Sequence, residues 1–124
     1  MILVDTSIWV DHLRHGDAKL ATLLESDRAC VHPFVVGELA CGNMKARKNI
    51  LELLRALPTL PAANDNEVLF FIERHRLMGR GIGYIDAHLL TSVALHGTAR
   101  LWTRDKRLSS IAADLGLAHA EGKH

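Results

Sequence analysis

The sequence predicts an α/β fold in which a mainly parallel sheet is covered by helices on both faces, and two observations carry the prediction. Short apolar runs alternate along the chain with stretches whose apolar residues recur at helical spacing. Two of those runs, Ile2 to Val4 and Ala99 to Trp102, end in a polar exit bearing an acid (Asp5 or Asp105) before a helical pattern begins. In a parallel sheet both acids then face the same carboxyl edge, where ligands collect.

Each element follows from its residues. Ile2-Leu3-Val4 is a buried strand, and Ser7 to His15 a helix with Ile8, Trp9 and Leu13 inward, stopped at Gly16. Asp17 caps a second helix with Leu20, Leu23 and Leu24 as its stripe. Ala29 to His32 is a second strand, and Pro33 opens a helix running from Phe34 to about Cys41. Gly42 and Asn43 break it, and Lys45 to Leu57 forms the next helix through Ile50, Leu53, Leu54 and Leu57. Pro58 to Pro61 suits an edge strand, since proline cannot donate to a ladder. Asn64 or Asp65 caps a helix to about Met78; Gly79 to Gly83 is a flexible lip, and Tyr84 to His96 is helical again. Ala99 to Trp102 is a strand, Lys106 to Leu115 the last full helix, and Leu117 to His119 a short final strand before a frayed tail.

The 124 residues suit one domain, spanning 1–124, and 48% apolar content with 23% charged excludes a disordered chain. No apolar run approaches the ~20 residues of a membrane span. The first ten residues lack the charged flank and cleavage site of a secretion signal. Cys30 and Cys41 make neither a disulfide framework nor a CxxC metal site, so the expected compartment is the cytoplasm. The net charge of +1 conceals a division. Neutralising four of the 14 acids would leave 10 against 15 Lys and Arg, a surplus of five that suits a polyanion.

The four acids in question are Asp5, Glu38, Asp86 and Asp105. Asp5 and Asp105 read equally as helix N-caps. Glu38 and Asp86 fall within apolar stripes: Phe34, Val35 and Cys41 flank the first, and Ile82, Leu89, Leu90 and Val93 the second. A carboxylate withdrawn from water needs a partner, either an Arg or Lys or a bound cation. Four converging carboxylates repel one another unless a hard divalent ion such as Mg²⁺ or Mn²⁺ sits among them. Such a site activates water for attack on a phosphodiester. Thr6, Ser7 and Thr103 are placed to orient carboxylates or water, although Ser7 suits a helix cap as well.

Four blocks then make a specific resemblance. Val4-Asp5-Thr6-Ser7-Ile8-Trp9, Pro33-Phe34-Val35-Val36-Gly37-Glu38-Leu39-Ala40, Gly81-Ile82-Gly83-Tyr84-Ile85-Asp86-Ala87-His88 and Leu101-Trp102-Thr103-Arg104-Asp105 resemble the motifs of PIN-domain ribonucleases, above all the VapC-type toxins of toxin–antitoxin pairs. Order, spacing and length are similar from Met1 to about Leu117. The resemblance implies a three-layer α/β/α sandwich and Mg²⁺- or Mn²⁺-dependent cleavage of RNA. It also implies homodimers and a cognate antitoxin whose C-terminal segment occludes the acidic site. Asp5, Glu38, Asp86 and Asp105 match the four acidic positions, Asp5 and Asp86 the usual metal ligands, and Thr103 the small hydroxyl residue before the last acid.

Among the basic residues, Arg80, Arg104 and Lys106 flank the acids in sequence and are the candidates for RNA contact, within a wider set that includes Arg74 and Arg107. Trp9 and Trp102 suit the core, and His12 and His15 a wet face. His88, two residues past Asp86, points away from it. Ile8, Trp9, Leu51 and Leu54 are candidates for an apolar groove receiving a partner helix. Two other functions remain open at this point. Aspartyl-phosphate chemistry would need a second acid two residues after Asp5, where Ser7 stands. A catalytically silent binding module would not require the full acidic set.

Overall fold

A computed structural model describes residues 1–121. Its elements run β1 (Ile2–Val4), α1 (Thr6–His15), α2 (Ala18–Glu25), β2 (Ala29–Cys30), α3 (Pro33–Cys41), α4 (Arg47–Ala56), α5 (Asp65–His75), α6 (Tyr84–His96), β3 (Arg100–Trp102) and α7 (Lys106–Asp114). The sheet has the order β2-β1-β3 and both pairings are parallel, with Ile2 opposite Ala29 and Arg100, and Val4 opposite Trp102. All three β1 residues are buried, as expected of a strand covered on both faces. The Pro58–Pro61 and Leu117–His119 segments extend the sheet by single parallel bridges, Val31 with Thr59 and Leu101 with Ala118. The prolines of the first segment and the brevity of both keep them at the edges.

Helices form the outer layers of this α/β sandwich. Ile8, Trp9, Leu20, Val35, Leu54, Leu89, Leu90 and Leu108 are fully buried around the sheet, each such leucine contributing about 2 kcal/mol by leaving water. Ala87 to Val93 of α6 are buried without a break, so this helix runs through the core rather than over it. No helix among the described residues is long and apolar enough to cross a membrane.

Local chemistry sets the ends. Asp17 accepts from Lys19 N and Leu20 N, and Asn64 forms a capping box with Glu67. The expected helix from Lys45 begins only at Arg47, because Ala46 takes a left-handed turn (φ 52°). The helix expected to reach Met78 stops at His75, because Arg76 does the same (φ 53°). The second strand stops at Cys30: Val31 keeps only a bridge, and His32 turns to cap α3, its Nδ1 accepting from Phe34 N at 3.0 Å. The expected apolar groove is also corrected, since Ile8, Trp9, Leu51 and Leu54 all lie in the core. The tail is held as far as Glu121, which accepts from Trp102 Nε1, Arg104 Nε and Lys19 Nζ. Its last three residues, 122–124, lie outside the described residues.

His32 is fully buried and its Nε2 lies 3.1 Å from Ser92 Oγ. Burial, and then the neighbouring His88, push its pKa down to about 4. The unfolded chain takes up a proton near pH 6.5 that the folded chain refuses until about pH 4, so stability falls as pH drops through that window. Urea unfolding at pH 7 and pH 4.5 should show a loss on the order of 2 kcal/mol. The His32→Asn variant, with an amide oxygen to retain the cap, should lose that part of the slope. An unchanged slope in the variant would remove His32 as its source.

Candidate functional site

β1 is the middle strand, so its carboxyl end lies between the two crossover connections. Asp5 stands there, its N–H donating to Trp102 O at 3.0 Å and so continuing the ladder to β3. It heads α1, yet its side chain makes no cap. Instead Asp5 Oδ2 accepts two hydroxyls, Ser7 Oγ at 2.9 Å and Thr103 Oγ1 at 2.7 Å. Each hydroxyl donates its one proton to Asp5 and accepts a backbone N–H from the β3 exit. Arg104 N donates to Ser7 at 3.2 Å, and Asp105 N to Thr103 at 3.1 Å. Asp5 is 7% exposed and Thr103 8%, so this bridge is shielded from water.

The other acids arrive from three helices. Asp105 does cap its helix, with Oδ1 accepting from Leu108 N at 2.9 Å. The capping alternative therefore holds for Asp105 and fails for Asp5. On α3, Glu38 Oε1 accepts from Thr6 Oγ1 at 2.8 Å, which ties α3 to α1. Glu38 is exposed, however, and the expectation that its stripe removes it from water is corrected: α3 is covered only on the side of Val35 and Leu39. Asp86, in the first turn of α6, is half-buried and accepts a long bond from Gly83 N at 3.4 Å.

Electrostatics join the four. Burial pushes the Asp86 carboxyl above its ordinary range; the Gly83 N–H opposes this, and the charges of Asp5, Asp105 and Glu38 add to the rise. Among the described residues none of the four forms an ion pair, so the buried Arg or Lys partner is not what balances them. Among the described residues each also engages one oxygen in a hydrogen bond and leaves the other without one.

The three basic candidates separate. Arg104 turns into a network, donating to Asp11 at 2.9 Å, Asp17 at 2.6 Å and Glu121 at 2.7 Å, with its guanidinium 5.3 Å from the Trp102 ring centre. Its charge is committed to holding α1, α2 and the C-terminal segment together. Arg80 pairs with Asp114 at 2.9 Å. Lys106 is exposed and, among the described residues, has no ion-pair partner. His88 is buried between the rings of Phe34 and Tyr84, its nitrogens without hydrogen bonds, and sequence reasoning did not anticipate that burial.

The fold and these acids can be set beside known proteins. The family model described as the PIN domain matches residues 2–114. Ribonuclease VapC32 from two strains of Mycobacterium tuberculosis is 54% identical over 121 residues, which cover 98% of both chains. Among solved structures, PAE2754 from Pyrobaculum aerophilum superposes with a TM-score of 0.63 at 18% identity, over 89% of this chain and 83% of its own. FitAcB from Neisseria gonorrhoeae superposes with a TM-score of 0.62 at 21% identity, over 91% of this chain and 94% of its own. Identities that low speak for the fold alone, whereas the family match and the mycobacterial relatives speak for descent. The chain belongs to the PIN-domain family, among its VapC-type members.

Proposed function

We propose that the chain is a Mg²⁺- or Mn²⁺-dependent endoribonuclease acting as the toxin of a type II toxin–antitoxin pair. One observation carries the reading: the charges of Asp5, Asp105 and Glu38 all act on Asp86, and among the described residues none of the four has a cationic side chain as partner and each keeps an oxygen without a hydrogen bond. The name of the mycobacterial relatives, a ribonuclease, supports the same activity here. Aspartyl-phosphate chemistry finds no support, since Ser7 occupies the place of its second acid and spends its hydroxyl on Asp5.

The donor set fits a hard divalent ion. All candidate ligands are carboxylate oxygens, and among the described residues no three close into a ready-made cage. All-oxygen donors suit an ion that keeps much of its water and would take one or two carboxylates directly, Asp5 and Asp86 first as the family motifs imply. When bound, such an ion would neutralise the acids, acidify a water and offset the charge of the phosphodiester. The chain's residues supply the order. Ser7 and Thr103 fix the face that Asp5 presents, Thr6 aims Glu38, and Asp105 is held by its own helix. Hydrolysis adds water across a P–O bond, and a carboxylate not engaged by the cation takes up the proton the water gives up.

An antitoxin segment has a place to lie. A groove of about 660 Å³ opens beside Thr6 and Glu38, with Val10, Leu13, Leu39 and Ile50 on its walls. A partner seated there would lie against Glu38, the one acid on its wall.

Purified chain with Mn²⁺ should cut RNA, Asp5→Asn should leave it intact, and added antitoxin should suppress the wild-type cleavage. Thr103→Val, which removes one of the two hydroxyls from Asp5, should lower the rate about 10- to 100-fold. Equal cutting by wild type and Asp5→Asn would end the nuclease reading. A second outcome concerns stability. A carboxyl whose folded pKa is raised costs the fold stability as pH climbs from its ordinary value through the raised one, so the ionised Asp86 weighs against the metal-free wild type at neutral pH. Asp86→Asn should therefore melt about 2–5 °C higher without metal. It should also lose the upward shift that Mn²⁺ gives wild type. A lower metal-free midpoint together with an intact Mn²⁺ shift would contradict the assignment.

A further inference from the structure

Arg107 lies two residues beyond Asp105, in the first turn of α7, and its side chain reaches back across the loop that leads to Asp86. There it rests on Gly81. A Cβ at Gly81 would stand 2.6 Å from Arg107 Cδ and 2.8 Å from Nη1, so the guanidinium end occupies the space the glycine leaves bare. Gly81 also has a φ of 86°, which disfavours any other residue. The loop from Gly79 to Gly83, expected to be a flexible lip, is a shelf at this point.

Among the described residues Arg107 pairs with no carboxylate, in contrast to Arg104 with three and Arg80 with one. It is exposed. It therefore stands between two acid-bearing elements, ordered by packing and not neutralised. A planar guanidinium presents paired donors that match a phosphate edge. Packing on Gly81 limits the side-chain freedom that would otherwise be lost on binding.

We infer that Arg107, docked on the Gly81 shelf, holds a backbone phosphodiester of the RNA next to the acidic site. The assignment rests on the ribonuclease reading and adds to it the residue that brings a polyanion up to a rim of four carboxylates. Lys106, its neighbour, adds charge without a shelf. Arg74 on α5 is likewise exposed and without an ion-pair partner among the described residues, but nothing similar receives it. It serves as the control for diffuse surface charge.

The test uses the full chain carrying Asp5→Asn, which cannot cut. Binding of a labelled single-stranded RNA of mixed sequence is followed by fluorescence anisotropy in Mg²⁺ at several KCl concentrations. Adding Arg107→Gln should weaken binding about three- to tenfold and lower the salt slope by about 0.7, the share of one phosphate contact. Arg107→Lys should keep the slope and lose part of the affinity, whereas Arg74→Gln should change both little. Gly81→Ala should weaken binding where Arg107 is present and have little further effect in Arg107→Gln. Thermal melts confirm that each variant is folded; as an exposed polar change, Arg107→Gln should stay within about 0.5 kcal/mol of its parent. Equal losses from Arg74→Gln and Arg107→Gln, or additive losses from Gly81→Ala and Arg107→Gln, overturn the assignment and leave the ribonuclease reading standing. No RNA binding by the Asp5→Asn chain with Arg107 intact, together with no cutting by wild type in Mn²⁺, overturns both.

Discussion

Two hydroxyls, from α1 and from the β3 exit, donate to one oxygen of Asp5, and the arrangement at the carboxyl edge depends on that bridge. Each hydroxyl is itself fixed by a backbone N–H of the β3 exit. Asp5 is thus spared from capping its own helix. The bridge also ties the start of the chain to its last strand, so the position of Asp105 is coupled to that of Asp5. Parallel pairing of β1 with β3 puts the two exits side by side; without it the hydroxyls and the carboxylate would not meet.

The acidic cluster works against the fold that carries it. The charges of Asp5, Asp105 and Glu38 bear on the half-buried Asp86, and among the described residues none of the four gains from an ion pair. The surroundings offset this in the core, where α6 is buried along seven consecutive residues and both tryptophans are enclosed. Elsewhere opposite charges are matched closely, as in the Arg104 network with its three carboxylates. A chain that pairs its charges so fully at one place and leaves four acids bare at another is shaped there by something other than stability.

Much of this was legible in the sequence, for physical reasons that vary by element. β1 was clear as a continuous apolar run before an acid, β3 as a short run with the same polar exit, and α6 by its helical apolar spacing up to Gly97. The bridges at Thr59 and Ala118 were expected, since proline and short apolar runs mark sheet edges. Helix ends at Ala46 and Arg76 were not legible, because a left-handed turn without glycine or asparagine has no local signature. The places of Asp5 and Asp105 at strand exits followed from the strand–acid–helix grammar, while Glu38 and Asp86 were singled out by their apolar stripes and the family motifs. Which of them caps a helix did not, since Asp5 and Asp105 have the same local sequence pattern. The exposure of Glu38 depends on what covers α3, and the commitment of Arg104 depends on Asp11, Asp17 and Glu121 meeting it from three segments. Neither is visible in spacing.

The claim at the centre is that Asp5, Glu38, Asp86 and Asp105 lie within reach of one divalent cation. Substoichiometric Mn²⁺ added to isotopically labelled chain tests it directly, because the ion broadens the NMR signals of amides close to it. Signals from residues 5–7, 38, 86 and 103–105 should fade first while those of α2 persist. Fading centred on another part of the molecule, or on only one of these segments, would contradict it.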